Sequence, residues 1–325
     1  MIVAAAWPAL GWMSAARAQP QKSAARSVRI GVLQTGSPET APDSSSAQRF
    51  VTAMREMGWV EGRNVTYDRV YAGGKSARLP DLAGELVAGR PNLLYAANNT
   101  EALALAAKTR TVPIVFSGFA NPVELGLVKS LARPGGNATG IANIGWELGG
   151  RRMQLLKQVM PNIKRVGVLV TPYGLKHFPE QQLIEKAAGT GVVVVAALVE
   201  SGDLDAAFAS RAEKRVEAVL TTHIGFFLRE RRRVLDLARK QRIPVVAHRS
   251  EIADDGALMS YSSILLEQIR AAAQMADKIL RGAKPADTPI ERPTKFELVV
   301  NLKAARALGV TVPQSVLVQA DRVIE

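Results

Sequence analysis

Short runs of β-branched and aliphatic residues alternate along this chain with segments whose apolar residues recur at helical spacing. Phe50, Val51, Met54 and Met57 show that spacing after the first run. The strand-like runs of the first half are VRIGVL (28–33), NVTYDRV (64–70), NLLYA (92–96), TVPIVF (111–116) and NATGI (137–141). Strands that alternate with helices indicate βαβ units and a parallel sheet.

The second half of the chain repeats this pattern. KRVGVLVTP (164–172) resembles VRIGVLQTG (28–36), and QRIPVVAHR (241–249) resembles RTVPIVFSG (110–118). The two pairs of segments are separated by nearly the same number of residues, as in an internal duplication. The sequence therefore predicts an α/β protein of two similar doubly wound, Rossmann-like lobes joined by a hinge.

The predicted lobes are discontinuous, and a leader precedes them. Residues 1–18 have an apolar run that ends in Ala16-Arg17-Ala18, which predicts a signal peptide cleaved before Gln19, although no basic residue precedes the run. The predicted N-terminal lobe comprises residues 28–142 and 262–295, and the predicted C-terminal lobe comprises residues 143–261 and 296–325. We expect the chain to cross between them near residues 142–146, 260–263 and 293–297.

Polar loops follow the strand-like runs in both halves. Because ligands bind beyond the carboxyl ends of parallel strands, these loops predict a binding cleft between facing lobes. Read singly, each loop is also explained as a helix cap or a tight turn. The candidate ligand-binding residues are Thr35, Gly36, Ser37, Asn98, Asn99, Thr100, Gly118, Phe119, Asn121, Thr171, Tyr173, Thr222, His223, Arg249 and Tyr261.

Composition excludes several classes of site. The chain of 325 residues has no cysteine, which rules out disulfides, thiolate metal sites and an N-terminal lipid-anchored cysteine. The formal net charge of +13 is spread along the chain without interleaved aromatic residues, so we predict no nucleic-acid partner. The densest basic cluster, Arg229 to Arg233, is interpreted as a solvated helix face, with a site for an anion or a partner as the alternative. We also predict no cofactor, because no dinucleotide fingerprint or phosphate-binding loop is present. The nucleophile elbow of serine hydrolases is missing as well.

Three histidines occur in separate segments, at His177, His223 and His248. None has the spacing of a metal site, so we predict no bound metal. An exported α/β enzyme that uses His223 with Asp254 or Asp255 is one alternative function. No sequence motif supports it, and we predict no enzymatic activity.

Several long segments resemble bacterial ABC-transporter substrate-binding proteins of the group related to tryptophan and tyrosine uptake. They are FANPVELGLVKSLARPGGNATGI (119–141), GALMSYSS (256–263) and the block from ADKILRG to the final VIE (276–325). The resemblance implies a type I periplasmic-binding fold and a soluble periplasmic monomer without a lipid anchor. It also implies that the protein closes on a small organic solute and docks on the permease and ATPase subunits of an inner-membrane importer.

Two departures from this family bear on the solute. Relatives commonly carry Asp where this chain has Asn121, and often an acidic residue after the strand that here ends in Thr221, Thr222 and His223. An acidic residue there would pair with the ammonium of an amino acid, so its replacement favours a neutral or anionic solute. A sensor that presents its ligand to a membrane receptor remains an alternative to transport.

Overall fold

The computed structural model of this chain describes residues 27–37, 46–118, 122–213 and 215–325. The predicted signal peptide, residues 1–18, and the candidate ligand-binding residues Phe119 and Asn121 lie outside these ranges. Within them, none of the helices combines the length and the apolar character needed to span a bilayer.

The N-terminal lobe contains a five-stranded parallel sheet. Its strands are β1 (Val28–Gln34), β2 (Val65–Tyr71), β3 (Leu93–Ala96), β4 (Ile114–Gly118) and β5 (Ala138–Ala142), in the order β2-β1-β3-β4-β5. Its helices are α1 (Ser46–Glu56), α2 (Leu79–Ala88) and α3 (Asn99–Lys108). A later helix, α11 (Leu265–Leu280), packs on α1 and on β4 and β5.

Helices cover both faces of this sheet, which explains its continuous apolar strands. Every residue of β3, β4 and β5 is buried. One face packs against α1 and α11, where Phe50 stacks on Tyr95 at 3.8 Å between ring centroids. The other face packs against α2 and α3. A strand buried on two faces is typical of parallel sheets in α/β proteins.

The C-terminal lobe contains a seven-stranded sheet in the order β12-β11-β10-β9-β8-β6-β7. The strands are β6 (Arg165–Val170), β7 (Val193–Leu198), β8 (Ala218–Thr221), β9 (Val245–Ala247), β10 (Met259–Ser263), β11 (Phe296–Asn301) and β12 (Arg322–Ile324). The helices are α4 (Gly149–Val159), α5 (Pro172–His177), α6 (Glu180–Ala188), α7 (Leu204–Glu213), α8 (Gly225–Arg229), α9 (Arg231–Lys240), α10 (Ser250–Asp254), α12 (Leu302–Leu308) and α13 (Gln314–Leu317).

The two sheets share one topology. The order β7-β6-β8-β9-β10 repeats β2-β1-β3-β4-β5 strand for strand, and all of these neighbours are parallel. β11 then pairs antiparallel with β10, and β12 extends the edge. The predicted fold of two similar doubly wound lobes is confirmed, including the resemblance between the segments that became β1 and β6.

The chain passes between the sheets three times. It leaves β5 after Ala142, returns after β10 and crosses again before β11. The second passage differs from the predicted lobe boundary, because Ser262 and Ser263 still pair with β11 in the second sheet. The main-chain ladder with β11 thus extends β10 to the residue before Ile264.

A buried polar network ties two of these passages together. The Asn143 amide donates to Gln268 Oε1 at 2.9 Å, and Ser263 Oγ donates to Asn143 Oδ1 at 3.3 Å. Gly145 N also donates to Asn143 Oδ1, at 2.8 Å. Buried amide and hydroxyl groups that satisfy one another fix a single arrangement of the backbone. These hydrogen bonds therefore define the geometry of the hinge.

One strand begins later than its sequence suggests. The run TVPIVF starts at residue 111, but β4 starts at Ile114. The Thr109 hydroxyl accepts hydrogen bonds from the backbone amides of Thr111 and Val112, which holds this segment in a turn. Pro113 has no amide hydrogen to donate to a ladder. Local side-chain capping thus delays the strand.

Candidate functional site

Each sheet has a topological switch point, at which its crossover connections change faces. The strand orders place it between β1 and β3 in the N-terminal lobe and between β6 and β8 in the C-terminal lobe. Ligands of doubly wound sheets bind in the crevice outside the carboxyl ends of such strands. The two switch points therefore predict one site between the lobes, built from the loops after these four strands.

A cavity of about 260 Å³ lies at this place and is lined by both lobes. The N-terminal lobe contributes a polar wall of Thr35, Ser76, Asn98, Asn99 and Thr100. The C-terminal lobe contributes a largely apolar wall of Tyr173, Phe178, His223, Ile224, Gly225, Phe226 and Arg229. The volume is close to the lower limit of about 300 Å³ for small-molecule sites.

The polar wall is held in place by a buried carboxylate, Glu101. Its Oε1 accepts hydrogen bonds from Thr35 N at 2.6 Å and Thr35 Oγ1 at 2.9 Å, and its Oε2 accepts one from Ala97 N at 2.9 Å. Asn98 caps α3 by accepting from Glu101 N at 3.0 Å. Burial raises the pKa of Glu101, and these donors oppose the rise. The loop after β1 and the start of α3 therefore form one rigid wall.

The apolar wall is built on two short helices. Thr171 caps α5 by accepting from Gly174 N at 3.1 Å, and this places Tyr173 in the first turn. Tyr173 remains 47% exposed, although its ring meets Phe178 edge-on at 5.9 Å between centroids. The Arg229 guanidinium lies 5.8 Å from the centre of the Phe226 ring. Aromatic side chains that line a cavity in this way can cover a flat apolar group.

His223 lies where this wall meets the hinge. Its backbone amide donates to Glu180 Oε2 at 2.7 Å, and its ring packs edge-to-face on His248 at 5.2 Å between centroids. Burial lowers the pKa of both imidazoles well below the ordinary value, and the nearby Arg249 and Arg152 charges lower it further. Both rings are therefore neutral near pH 7.

A buried ion pair connects this wall to the hinge. The Arg152 guanidinium binds the Glu180 carboxylate, and both side chains are buried. Arg152 also donates to the carbonyl oxygens of Tyr261, in β10 just before the second passage, at 3.1 Å and of Gly145, in the first passage, at 3.2 Å. Because Glu180 also holds the His223 amide, the cavity wall and the hinge form one connected unit.

Six of the predicted ligand-binding residues line the cavity. They are Thr35, Asn98, Asn99, Thr100, Tyr173 and His223. Gly118 lies next to this group, because a Cβ atom there would overlap the Asn99 side chain. Gly36 accepts a hydrogen bond from Gly73 N at 2.9 Å through its carbonyl oxygen.

The other described candidates do not line the cavity. Thr171 caps α5, and Thr222 Oγ1 donates to the Leu169 carbonyl at 2.7 Å. The Tyr261 ring stacks on Phe296 at 6.0 Å between centroids. The remaining two are Ser37, which is partly buried, and Arg249, which is buried.

Six lining residues were missed by sequence reasoning. They are Ser76, Phe178, Ile224, Gly225, Phe226 and Arg229. Two adjacent aromatic residues directly after a loop glycine, as at residues 225–227, were an available signal. The interpretation of the basic cluster as a solvated face fits Arg229, Arg232 and Arg233, which are all exposed, and Arg229 in addition lines the cavity.

The alternative catalytic pair is not assembled. Asp254 binds Arg322 at 2.5 Å and Asp255 binds Arg231 at 2.7 Å, both near the surface, whereas His223 is buried. Across the described ranges, no three histidine or acidic side chains are grouped as a metal site would require. The geometry is that of a cleft able to enclose a small molecule.

Comparison with known proteins decides the family. The profile of ABC transporter substrate binding proteins matches residues 42–324. The chain belongs to that family. It is 24% identical over 261 residues to the tyrosine-binding protein of Clostridioides difficile strain R20291, covering 80% of this chain and 75% of that protein. The chain is thus a substrate-binding protein with a solute-binding role.

Two solved structures show the same architecture. An ABC domain from Streptococcus pneumoniae in complex with L-Trp is 26% identical, with a TM-score of 0.80 over 92% of this chain and 100% of that one. A conserved domain protein from Vibrio cholerae O1 biovar El Tor strain N16961 is also 26% identical, with a TM-score of 0.82 over the same shares. The predicted family and the type I periplasmic-binding fold are confirmed.

We expect the two buried histidines to make this protein sensitive to acid. Below about pH 6.5 the histidines of the unfolded chain bind protons, whereas the buried imidazoles of the folded protein stay neutral. The free energy of unfolding therefore falls as pH falls. Replacing His248 with glutamine should therefore reduce the loss of unfolding free energy between pH 7 and pH 5 by up to about 2 kcal/mol. Urea unfolding at several pH values measures this difference.

The buried carboxyl groups act in the opposite direction. Burial raises the pKa of Glu101, and it raises the pKa of Glu180 to about 7. The folded protein therefore binds protons at these carboxyl groups at a higher pH than the unfolded chain does, and their contribution to the free energy of unfolding rises as pH falls. The comparison of variant with parent isolates the histidine contribution. His177→Gln, at an exposed position, is the matched control and should keep the parental profile. Identical profiles for His248→Gln and the parent would contradict the prediction.

Proposed function

We propose that this protein is the solute-binding component of an ABC importer and that it encloses a small aromatic solute, neutral or anionic, between its lobes. One observation carries the proposal: the cavity joins polar helix-start residues of one lobe to aromatic residues of the other, of which Tyr173 is exposed and Phe178 and Phe226 are partly buried. Apolar walls with a few placed polar groups are usual for such sites. The two lobes are proposed to divide at the boundaries predicted from sequence, with the second passage moved to Ile264.

The relatives support an aromatic solute. One is named a tyrosine-binding protein and another was solved in complex with L-Trp. Both of these molecules carry an aromatic ring and a carboxylate. In this chain, the Tyr173 and Phe226 rings offer a surface for such a ring.

Members of this family are exported proteins, and we propose the periplasm as the location of this one. Removal of residues 1–18 would leave Gln19 as the first residue of a monomer that has no lipid anchor and docks on the permease and ATPase subunits of the importer. The proposal includes no enzymatic activity, because His223 is buried and neutral and the candidate carboxylates Asp254 and Asp255 pair with Arg322 and Arg231 near the surface.

A ligand screen by thermal shift tests this function. A ligand at a hundredfold excess over its Kd should stabilise the protein by about 2.7 kcal/mol. For the best aromatic ligand, Tyr173→Ala should raise the Kd by about tenfold, since the face of an exposed ring is lost. Calorimetric titration of parent and variant measures the change.

Val318→Ala is the control for this titration, because Val318 is 76% exposed and lies outside the cavity lining. It should bind the ligand like the parent. If no aromatic solute stabilises the protein, or if Tyr173→Ala binds as tightly as Val318→Ala, the proposed function of this cleft is wrong.

A further inference from the structure

Arg229 differs from its neighbours in the basic cluster because it lines the cavity between the lobes. It is the last residue of α8, and its side chain is exposed, so a solute in the cavity can reach it. Arg231 and Arg233 instead bind carboxylates of their own lobe, Asp255 at 2.7 Å and Asp205. Arg229 therefore brings positive charge to the cavity wall, whereas Arg231 and Arg233 form ion pairs near the surface.

An aromatic ring positions the Arg229 guanidinium. The Cζ atom lies over the Phe226 ring, 5.8 Å from its centre, which is within the usual range of about 6 Å for a cation–π contact. Phe226 in turn meets Phe227 edge-on at 5.4 Å between ring centroids, and Phe227 is fully buried in the C-terminal lobe. The ring beneath Arg229 is thus anchored in the core and restricts the positions that the guanidinium can adopt.

This arrangement suits the recognition of a carboxylate. A guanidinium is planar and its five N–H donors lie in that plane, so a contact through its face leaves them available for hydrogen bonds. Two of the donors match the two oxygens of a carboxylate in parallel hydrogen bonds. A guanidinium that is already oriented by Phe226 also loses less conformational entropy when it binds.

The N-terminal lobe offers further donors to the same anion. The side chains of Ser76, Asn99 and Thr100 line the opposite wall of the cavity. A carboxylate has about four lone-pair sites, and a guanidinium that binds it through two hydrogen bonds leaves the others for hydroxyl and amide groups. A carboxylate held by Arg229 would therefore be bound from both lobes, which links its recognition to closure of the cleft.

We propose that Arg229 is the residue that recognises the solute's charge, by pairing with a carboxylate that the aromatic solute carries. This inference rests on the proposed function and narrows the solute from neutral or anionic to one with a carboxylate. It applies equally to an amino acid and to an acid without an amino group. The aromatic ring of the solute would lie against Tyr173, and the carboxylate would extend towards Arg229.

Matched ligand pairs test the need for a carboxylate on the unaltered protein. Each pair is a carboxylate and its carboxamide: L-tyrosine and L-tyrosinamide, L-tryptophan and L-tryptophanamide, 3-(4-hydroxyphenyl)propanoate and its carboxamide, and 3-(indol-3-yl)propanoate and its carboxamide. Calorimetric titration at pH 7.5 measures the Kd of each ligand. In the tightest-binding pair, the carboxylate should have a Kd at least about tenfold lower than the carboxamide, because the carboxamide loses the charge-assisted hydrogen bonds.

Variants then assign this preference to Arg229. Arg229→Gln should raise the Kd of the carboxylate about tenfold and should not raise that of the carboxamide. Arg229→Lys keeps the charge without the planar fork, so its Kd for the carboxylate should lie between those of Arg229→Gln and the parent. Arg232→Gln is the matched control, since it removes the same charge from an exposed arginine of the same cluster outside the cavity lining, and it should bind like the parent.

Three results would overturn this inference and leave the aromatic cleft standing. The first is a carboxamide of the tightest-binding pair that binds the parent as tightly as its carboxylate. The second is an Arg229→Gln variant that binds the carboxylate as tightly as Arg232→Gln does. The third is an Arg229→Gln variant that weakens both members of the pair equally, as a loss of packing on Phe226 would. If no member of any pair binds the parent, the proposed function fails together with this inference.

Discussion

Replacing Arg152 with methionine is expected to lower the free energy of unfolding by about 3–5 kcal/mol, the usual cost of breaking a buried ion pair from one side. The side-chain exposures of Arg152 and Glu180 are 0% and 3%. The substitution would leave the Glu180 carboxylate buried with the His223 amide alone. It would also leave the carbonyl oxygens of Tyr261 and Gly145 without their guanidinium donor.

Urea unfolding at pH 8, above the raised pKa of Glu180, measures this effect. The double variant Arg152→Met, Glu180→Leu should recover part of the loss, because no buried charge then remains unpaired. Arg281→Met is the control. Arg281 is 64% exposed, and exposed pairs contribute only about 0–1 kcal/mol. A loss in Arg152→Met no larger than in Arg281→Met would show that the buried pair does not hold the hinge.

Replacing Gly145 with alanine is expected to lower the free energy of unfolding by about 1–3 kcal/mol and to weaken ligand binding about tenfold. A Cβ atom at Gly145 would overlap three atoms of the buried His223 ring. The ring has little room to move, because His248 packs against it. Since His223 lines the cavity, its displacement should change the site as well as the stability.

A double-mutant cycle tests the cause of this loss. In a His223→Ala background the ring is absent, so adding Gly145→Ala should cost much less than in the parent. Gly136→Ala is the control, because a Cβ atom there meets nothing within 4 Å and the φ angle is not positive. An equal cost of Gly145→Ala in both backgrounds would refute the proposed overlap.

The fold could be read from the sequence because its signals are local and repeated. The inner parallel strands are buried on both faces, so the chain shows continuous apolar runs such as VRIGVL at β1 and RVGVLV at β6. The resemblance between the halves predicted equivalent lobes, and the two strand orders agree. The boundary errors arose where a side chain or a pairing partner overrode the pattern, as at Thr109 and Ser263.

The binding loops were also predictable, because the carboxyl ends of parallel strands mark the crevice of a doubly wound sheet. Which individual residues of these loops line the cavity was harder to predict. Threonine is a common residue at ligand-binding positions, but the hydroxyl groups of Thr171 and Thr222 form hydrogen bonds with backbone groups of their own lobe. Ser76 follows β2 rather than a switch-point strand, and no local pattern marked it.

By itself, the sequence determined the class of fold, the duplication and the loops that form the cleft, since these depend on hydrophobic period and on short-range capping. The tertiary structure decided which charges are buried. Arg151 and Arg152 are adjacent in α4, yet Arg151 binds Gln319 at the surface while Arg152 is enclosed between the hinge and Glu180. Burial and electrostatic potential are sums over such distant neighbours, and no local pattern of residues encodes them.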